Sequence, residues 1–159
     1  MIGPLRDALQ RWVEVPLLCR LLPVPPGGDV LELGCGPGNA WTPLRGRLQP
    51  RSLVGVDRDT KVGVRCDIRA LPFAAASFDP VIDFGTCQGA GPEALREVAR
   101  VLRRRGLFVH ETRAAQLLAH PLRRSSSLSW AQVPELSPMS SWGLWSARAR
   151  VLPPGDALG

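Results

Sequence analysis

The sequence has no tyrosine, and aromatic residues make up only 6% of it. A platform for unpaired nucleobases needs aromatic rings interleaved with cations, so that platform is missing. Lysine is almost absent as well. Lys61 is the single one, and the net charge of +6 rests on arginine. Arg96, Arg100, Arg103, Arg104 and Arg105 gather near the end of an expected helix, where the dipole favours cations. The basic balance is thus accounted for locally, and nucleic acid is not an expected partner.

Other absences narrow the class further. The four cysteines, Cys19, Cys35, Cys66 and Cys87, form no CxxC pair and do not alternate with histidines. No metal site is expected, and reduced thiols in a cytoplasmic protein are the simplest reading. No uncharged run is long enough to span a bilayer. The opening residues, MIGPLRDALQRW, lack the cationic start and long apolar stretch of a secretion signal.

What is present is a chain of 159 residues, 45% hydrophobic, enough for one domain with a real core. Residues 5–22 read as a helix broken near Pro16, and PVPPGG at 23–28 as a stiff turn. Asp29–Leu33 is a short apolar run typical of a buried parallel strand. Gly38–Leu48 reads as a helix with Pro43 in its first turns. Ser52–Asp57, Val81–Gly85 and Leu107–Glu111 are further strands. Pro92–Arg104 is the clearest helix, with Leu95, Val98, Ala99 and Leu102 on one face. Strands alternating with helices give an α/β, Rossmann-like doubly wound fold with a mainly parallel sheet. Residues 1–122 are expected to form this domain. Residues 123–159 form a Ser/Pro/Trp-rich extension with an edge strand near 144–152.

The stretch VLELGCGPG puts Gly34, Gly36 and Gly38 directly after the first strand. Glycines at every second position mean a close approach to the backbone. In doubly wound sheets that place is the ligand crevice. The dinucleotide fingerprint GxGxxG is not met, because Asn39 stands where the third glycine should fall. No GK[ST] follows, which excludes a P-loop. Glu32, inside the strand, suits a ligand with a positive centre rather than a pyrophosphate. Asp57, at the end of the second strand, is either a ribose-binding acid or a turn cap.

Four segments in order resemble the class I S-adenosylmethionine-dependent methyltransferases. VLELGCGPG is similar to their first motif, and LVGVD to their second strand with its ribose-binding acid. CDIRALPFAAASFDPV resembles a stretch of the small-molecule branch that includes quinone-biosynthesis enzymes. ALREVARVLRRRGLFVHE is similar to the helix and strand that follow. The resemblance covers about residues 29–112. It implies S-adenosyl-L-methionine as cofactor and a small-molecule or lipid-like methyl acceptor. It places Glu32, Gly34, Cys35, Gly36 and Gly38 around the methionyl part and the ribose, with Asp57 on the ribose hydroxyls. Asp67 would accept from the adenine amino group, Ile68 would pack on the ring, and Phe84 and Gly85 would close the site. Gln88 is a candidate acceptor contact. His110 and His120 read as structural, and no catalytic side chain is assigned, because alignment alone can drive methyl transfer. The [ND]PP[YF] motif of amide- and base-methylating branches is replaced by DFGTCQG, against nucleobase amines as acceptors.

Only residues 57–63 separate Val56 from Val64, too few for the dozen or so residues of a parallel crossover. The second crossover helix is expected to be missing or vestigial, with residues 62–66 as an antiparallel arm or a loop. A missing helix bares sheet surface for a second copy or a partner chain. The second functional reading is a non-catalytic binding or partner domain that keeps this shape.

Overall fold

A computed structural model describes residues 24–113, 128–132 and 142–149, together with the isolated positions 8, 12, 16 and 20. Apart from those four positions the expected helix over 5–22 lies outside the described residues, as do His120 and residues 150–152 of the expected last strand. Strand β1 (Asp29–Leu33) leads to helix α1 (Trp41–Leu48), then β2 (Ser52–Asp57), β3 (Val64–Arg65) and β4 (Val81–Asp83). A short 3-10 turn (Thr86–Gly89) precedes helix α2 (Gly91–Val101), followed by β5 (Leu107–Arg113), β6 (Leu128–Gln132) and β7 (Trp142–Ala149). The sheet order is β3-β2-β1-β4-β5-β7-β6. β1 to β5 are mutually parallel, and β7 pairs antiparallel with both β5 and β6. This is the Rossmann-like architecture the alternation implied.

Two apolar faces follow from the period of the strands. Leu31 and Leu33 of β1, Val56 of β2, Val81 of β4 and Phe108 of β5 meet Leu95 and Val98 of α2. Val30, Ile82 and Val109, one residue out of step, meet Leu44 and Leu48 of α1. Both faces of the central strands are therefore covered, which is why β1 and β4 read as apolar runs.

Polar ties hold the layers in place. Arg100 donates to the carbonyls of Leu71 and Phe73 at 2.9 and 2.6 Å and to both oxygens of Glu97. Glu97 in turn accepts the Leu71 N–H at 2.7 Å. The LPF segment is thereby strapped to α2. At the foot of the sheet, Asp29 takes Arg51, Ser52 and Arg103 together. These partners hold its carboxyl well below the usual range.

Several boundaries differ from expectation, each for a local reason. α1 starts at Trp41, because residues 38–40 are spent in a turn closed by the Trp41 N–H on the Gly38 carbonyl. β4 stops at Asp83, since its carboxylate turns back to cap the 3-10 turn. α2 ends at Val101, where Leu102 goes extended and the Arg103 N–H pairs with the Phe78 carbonyl. Arg103, Arg104 and Arg105 consequently lie beyond the helix, so the dipole accounts for only part of that cluster.

The link between β2 and β3 holds no helix. β3 nevertheless pairs parallel to β2, with Val56 opposite Val64, so the antiparallel arm is corrected. Thr60 makes the short path feasible. Its hydroxyl donates to the Gly36 carbonyl at 2.8 Å and accepts the N–H groups of Val62 and Gly63 at 3.1 Å each. The chain then passes flat over β2. A Cβ on Gly63 would lie 2.3 Å from the Gly55 carbonyl oxygen, and one on Gly55 would lie 2.6 Å from the Cys35 Cβ. The prediction is that Gly63→Ala destabilises the fold by about 2 kcal/mol, as overpacking against backbone does. Urea denaturation measures it, and an unchanged midpoint would refute the tight link.

Candidate functional site

The C-terminal ends of β1, β2 and β4 open into one cavity of about 270 Å³, lined by Gly34, Asp57, Arg58, Ile68, Thr86, Gly89 and Ala90. Open parallel sheets bind ligands at this end. Gly34 leaves β1 at φ +70° and lies directly under Thr86, whose Oγ1 would be 1.7 Å from a Cβ there. Gly36 is also left-handed, at φ +48°, but faces open space, with no atom within 4 Å of a Cβ position. The loop thus crosses beneath Thr86 and then presents bare backbone.

Asp57 joins the loop to the second strand. Its Oδ2 accepts the Gly36 N–H at 3.0 Å, and its Oδ1 accepts the Asp59 N–H at 2.9 Å. The turn-cap reading of Asp57 is therefore correct, and it does not exclude the other. A carboxylate has about four lone-pair sites, so one on each oxygen remains at the cavity wall.

Glu32 lies below the loop and is 3% exposed. Burial pushes its carboxyl up to about 7; the Trp41 indole opposes this, and the charges of Asp83 and Asp57 add to it. The indole lies close enough to favour the ionised form, yet neither Trp41 Nε1 nor Glu32 Oε2 makes a hydrogen bond of good geometry. Three acids from the ends of three neighbouring strands, Glu32, Asp57 and Asp83, thus converge in a chain whose net charge is positive.

Asp83 belongs to the far wall. It accepts the Thr86 N–H at 2.8 Å and the Cys87 N–H at 3.1 Å, and it pairs with His110 Nδ1 at 2.5 Å. This buried pair sets the turn that carries Thr86. His110 is thereby structural in position, and burial raises the Cys87 thiol well above its ordinary value.

Of the residues expected at the site, Gly34, Asp57 and Ile68 line the cavity. Gly36 is bound to Asp57. Cys35 packs inward against Thr60, and Gly38 sits against Trp41 and Val62. Phe84 joins the α1 face of the core, and Gly85, at φ +95°, lets the chain turn out of β4. Asp67 does not line the cavity and is held by Arg58 and Arg69. Gln88 lies in the 3-10 turn. Arg58, Thr86, Gly89 and Ala90 were not singled out in the sequence. Thr86 and Gly89 stand in the DFGTCQG stretch that invited a search, whereas Arg58 follows Asp57 without any pattern of its own.

A Rossmann-like sheet with a glycine loop at the end of β1 and an acid at the end of β2 places the cavity where open parallel sheets bind ligands. The family is given by comparison. Residues 31–110 match the model of a methyltransferase domain, and the chain belongs to that family. A search of curated proteins found no match. Solved structures similar in fold include the complex between the Haloferax volcanii Trm112 methyltransferase activator and its candidate methyltransferase. That likeness has 18% identity and a TM-score of 0.68, over 90% of this chain and 92% of that one. An S-adenosyl-L-methionine-dependent methyltransferase fold from Methanococcus maripaludis is 14% identical, with a TM-score of 0.66, over 92% and 91%. A geranyl diphosphate methyltransferase in complex with GPP and sinefungin is 16% identical, with a TM-score of 0.60, over 87% and 77%.

The raised Glu32 carboxyl makes stability depend on pH. The folded state holds a proton that the unfolded chain, at an ordinary value of 4.5, has lost. Stability is therefore full below about pH 4.5 and falls as pH rises through 7. Relative to Glu32→Gln, the wild type should lose about 3 kcal/mol across that window. Urea titrations of both proteins at pH 5 and pH 8 measure the difference, and parallel pH profiles would refute it.

Proposed function

We propose that this methyltransferase-family domain binds S-adenosylmethionine in the cavity and transfers its methyl group to a small-molecule or lipid-like acceptor. The observation that carries the reading is Asp57. It fixes the glycine loop through the Gly36 N–H and keeps acceptor capacity at the cavity wall for the ribose hydroxyls.

The remaining residues fit the cofactor's chemistry. The buried Glu32 Oε2 lacks a hydrogen-bond partner, and a cationic ligand above it would favour its ionised form. Gly34, Cys35, Gly36 and Gly38 form the backbone path around the methionyl part, and open space at Gly36 admits it. Ile68 offers an apolar surface to the base, and Phe84 with Gly85 brings the chain out of β4 toward Thr86. When bound, the sulfonium supplies an electrophilic methyl group. The protein's part is to align the acceptor and exclude water. A general base is required only where an O–H or C–H of the acceptor must lose a proton, and His110 is engaged by Asp83.

The acceptor class rests on DFGTCQG in place of the base-methylating motif. The geranyl diphosphate methyltransferase shows a lipid-like acceptor on the same fold. No helix among the described residues is long and apolar enough to cross a membrane. The free thiols of Cys35, Cys66 and Cys87 support a cytoplasmic protein. Val62 and Val64 are exposed at the β3 edge, 47% and 38% respectively, where the crossover helix is missing. This favours cover by a second copy or a partner chain, and the similar Haloferax methyltransferase is in complex with an activator. A purely non-catalytic partner domain is the second reading, favoured by that same edge.

Asp57→Ala should weaken S-adenosylhomocysteine binding by about 1–3 kcal/mol, the usual loss when a polar partner is removed. Gly36→Val should weaken it at least as much, because a branched side chain resists φ +48° and fills the open space. Calorimetry reads both, and unchanged affinities would overturn the site. Methyl transfer from labelled cofactor to small-molecule extracts separates enzyme from partner domain.

A further inference from the structure

We infer that His110, buried in β5, is a positioning residue for the cavity: through Asp83 it holds the turn after β4 against Gly34, and the affinity of the site depends on that hold. The ligand part of this inference rests on the cofactor reading above.

The contacts form a relay from β5 to β1. β7 pairs along β5 from Leu107 to Arg113, so His110 lies inside the sheet and not at its edge. His110 and its register neighbour on β4, Asp83, are each 1% exposed. Asp83 Oδ1 accepts the Thr86 N–H at 2.8 Å, and Oδ2 accepts the Cys87 N–H at 3.1 Å. Asp83 is thus the acceptor on both oxygens, which puts the hydrogen of the 2.5 Å contact on His110 Nδ1. Thr86 completes the path, because its side chain covers Gly34: a Cβ there would lie 1.7 Å from Thr86 Oγ1 and 2.7 Å from Thr86 Cβ. Gly34, Thr86, Gly89 and Ala90 all line the cavity, whereas His110 and Asp83 do not.

Donors therefore hold one buried carboxylate from two directions, the turn from the front and His110 from behind. Without His110 the carboxylate loses its side-chain donor in a dry setting, so it rotates or draws in water. The Thr86 and Cys87 N–H groups move with it, and a small displacement of a site wall costs affinity. The role is one of donor placement. Asparagine can supply it, because its amide nitrogen stands two bonds from Cβ, as Nδ1 does. Glutamine carries the same amide one bond too far.

The test compares His110→Leu, His110→Gln and His110→Asn in the full chain, with thermal melts as a check on the fold. Calorimetry with S-adenosylhomocysteine reads the site. Alkylation of Cys87 by N-ethylmaleimide, mapped by peptide mass, reads the turn without any ligand, since that thiol is 2% exposed. The Leu and Gln variants should bind about tenfold more weakly and expose Cys87 to faster alkylation. The Asn variant should match the wild type in both. Unchanged affinity in Leu and Gln overturns the positioning role, and so does an Asn variant as weak as Gln. Weaker binding with Cys87 still protected overturns the relay through the turn. Should Leu not fold, the contrast of Asn with Gln decides, and loss of the fold in Gln as well makes His110 purely structural and overturns the inference. A wild type that binds no S-adenosylhomocysteine overturns the cofactor reading, while Cys87 still reports on the relay.

Discussion

One hydrogen bond couples the two halves of the site: the Gly36 N–H on Asp57 Oδ2. The glycine loop has left-handed residues at 34, 36 and 38 and no helix of its own, so nothing local fixes its path. The Asp57 bond fixes it, and the Thr60 hydroxyl on the neighbouring Gly36 carbonyl adds a second hold. Each contact is worth about 1–3 kcal/mol, more than a surface ion pair gives. Together they turn a loop rich in glycine into a defined surface.

The far side is held by a different device. Asp83 ends β4 by bonding back to the turn that follows, and His110 on β5 secures Asp83. The cavity thus lies between two carboxylates with fixed duties, while Glu32 beneath them has an oxygen without a partner. Such a group is tolerated inside a core only at a cost of about 1–3 kcal/mol. That cost is what a cationic ligand would recover.

Much of this could be read from the residues. The apolar runs with glycine stops gave the central strands, because a sheet covered on both faces leaves few other sequences possible. The loop and Asp57 were legible because their chemistry is local. Helix and strand ends were less so: Asp83, held by His110 from β5, ends β4 by capping the turn that follows, and α2 ends where the Arg103 N–H meets the distant Phe78 carbonyl. The straps of Arg100 and Arg103 had been assigned to a helix end, and only the fold shows that they reach Leu71, Phe73 and Asp29. Arg58 carried no signal, since nothing in the sequence marks the residue after Asp57 as part of the cavity wall. The parallel β3 was missed because a hydroxyl and two glycines did the work expected of a helix.

The Asp29 knot at the foot of the sheet has a consequence for the order of assembly. Its two arginine partners lie 22 and 74 residues away along the chain. Closing the longer loop costs about 1 kcal/mol more in chain entropy than closing the shorter. The Arg51 arm, which docks β2 beside β1, is thus the easier contact to form early. The Arg103 arm must wait for β4 and α2. A growing chain would build the glycine loop with Asp57 first, and the wall bearing Thr86 would arrive as a second, later event.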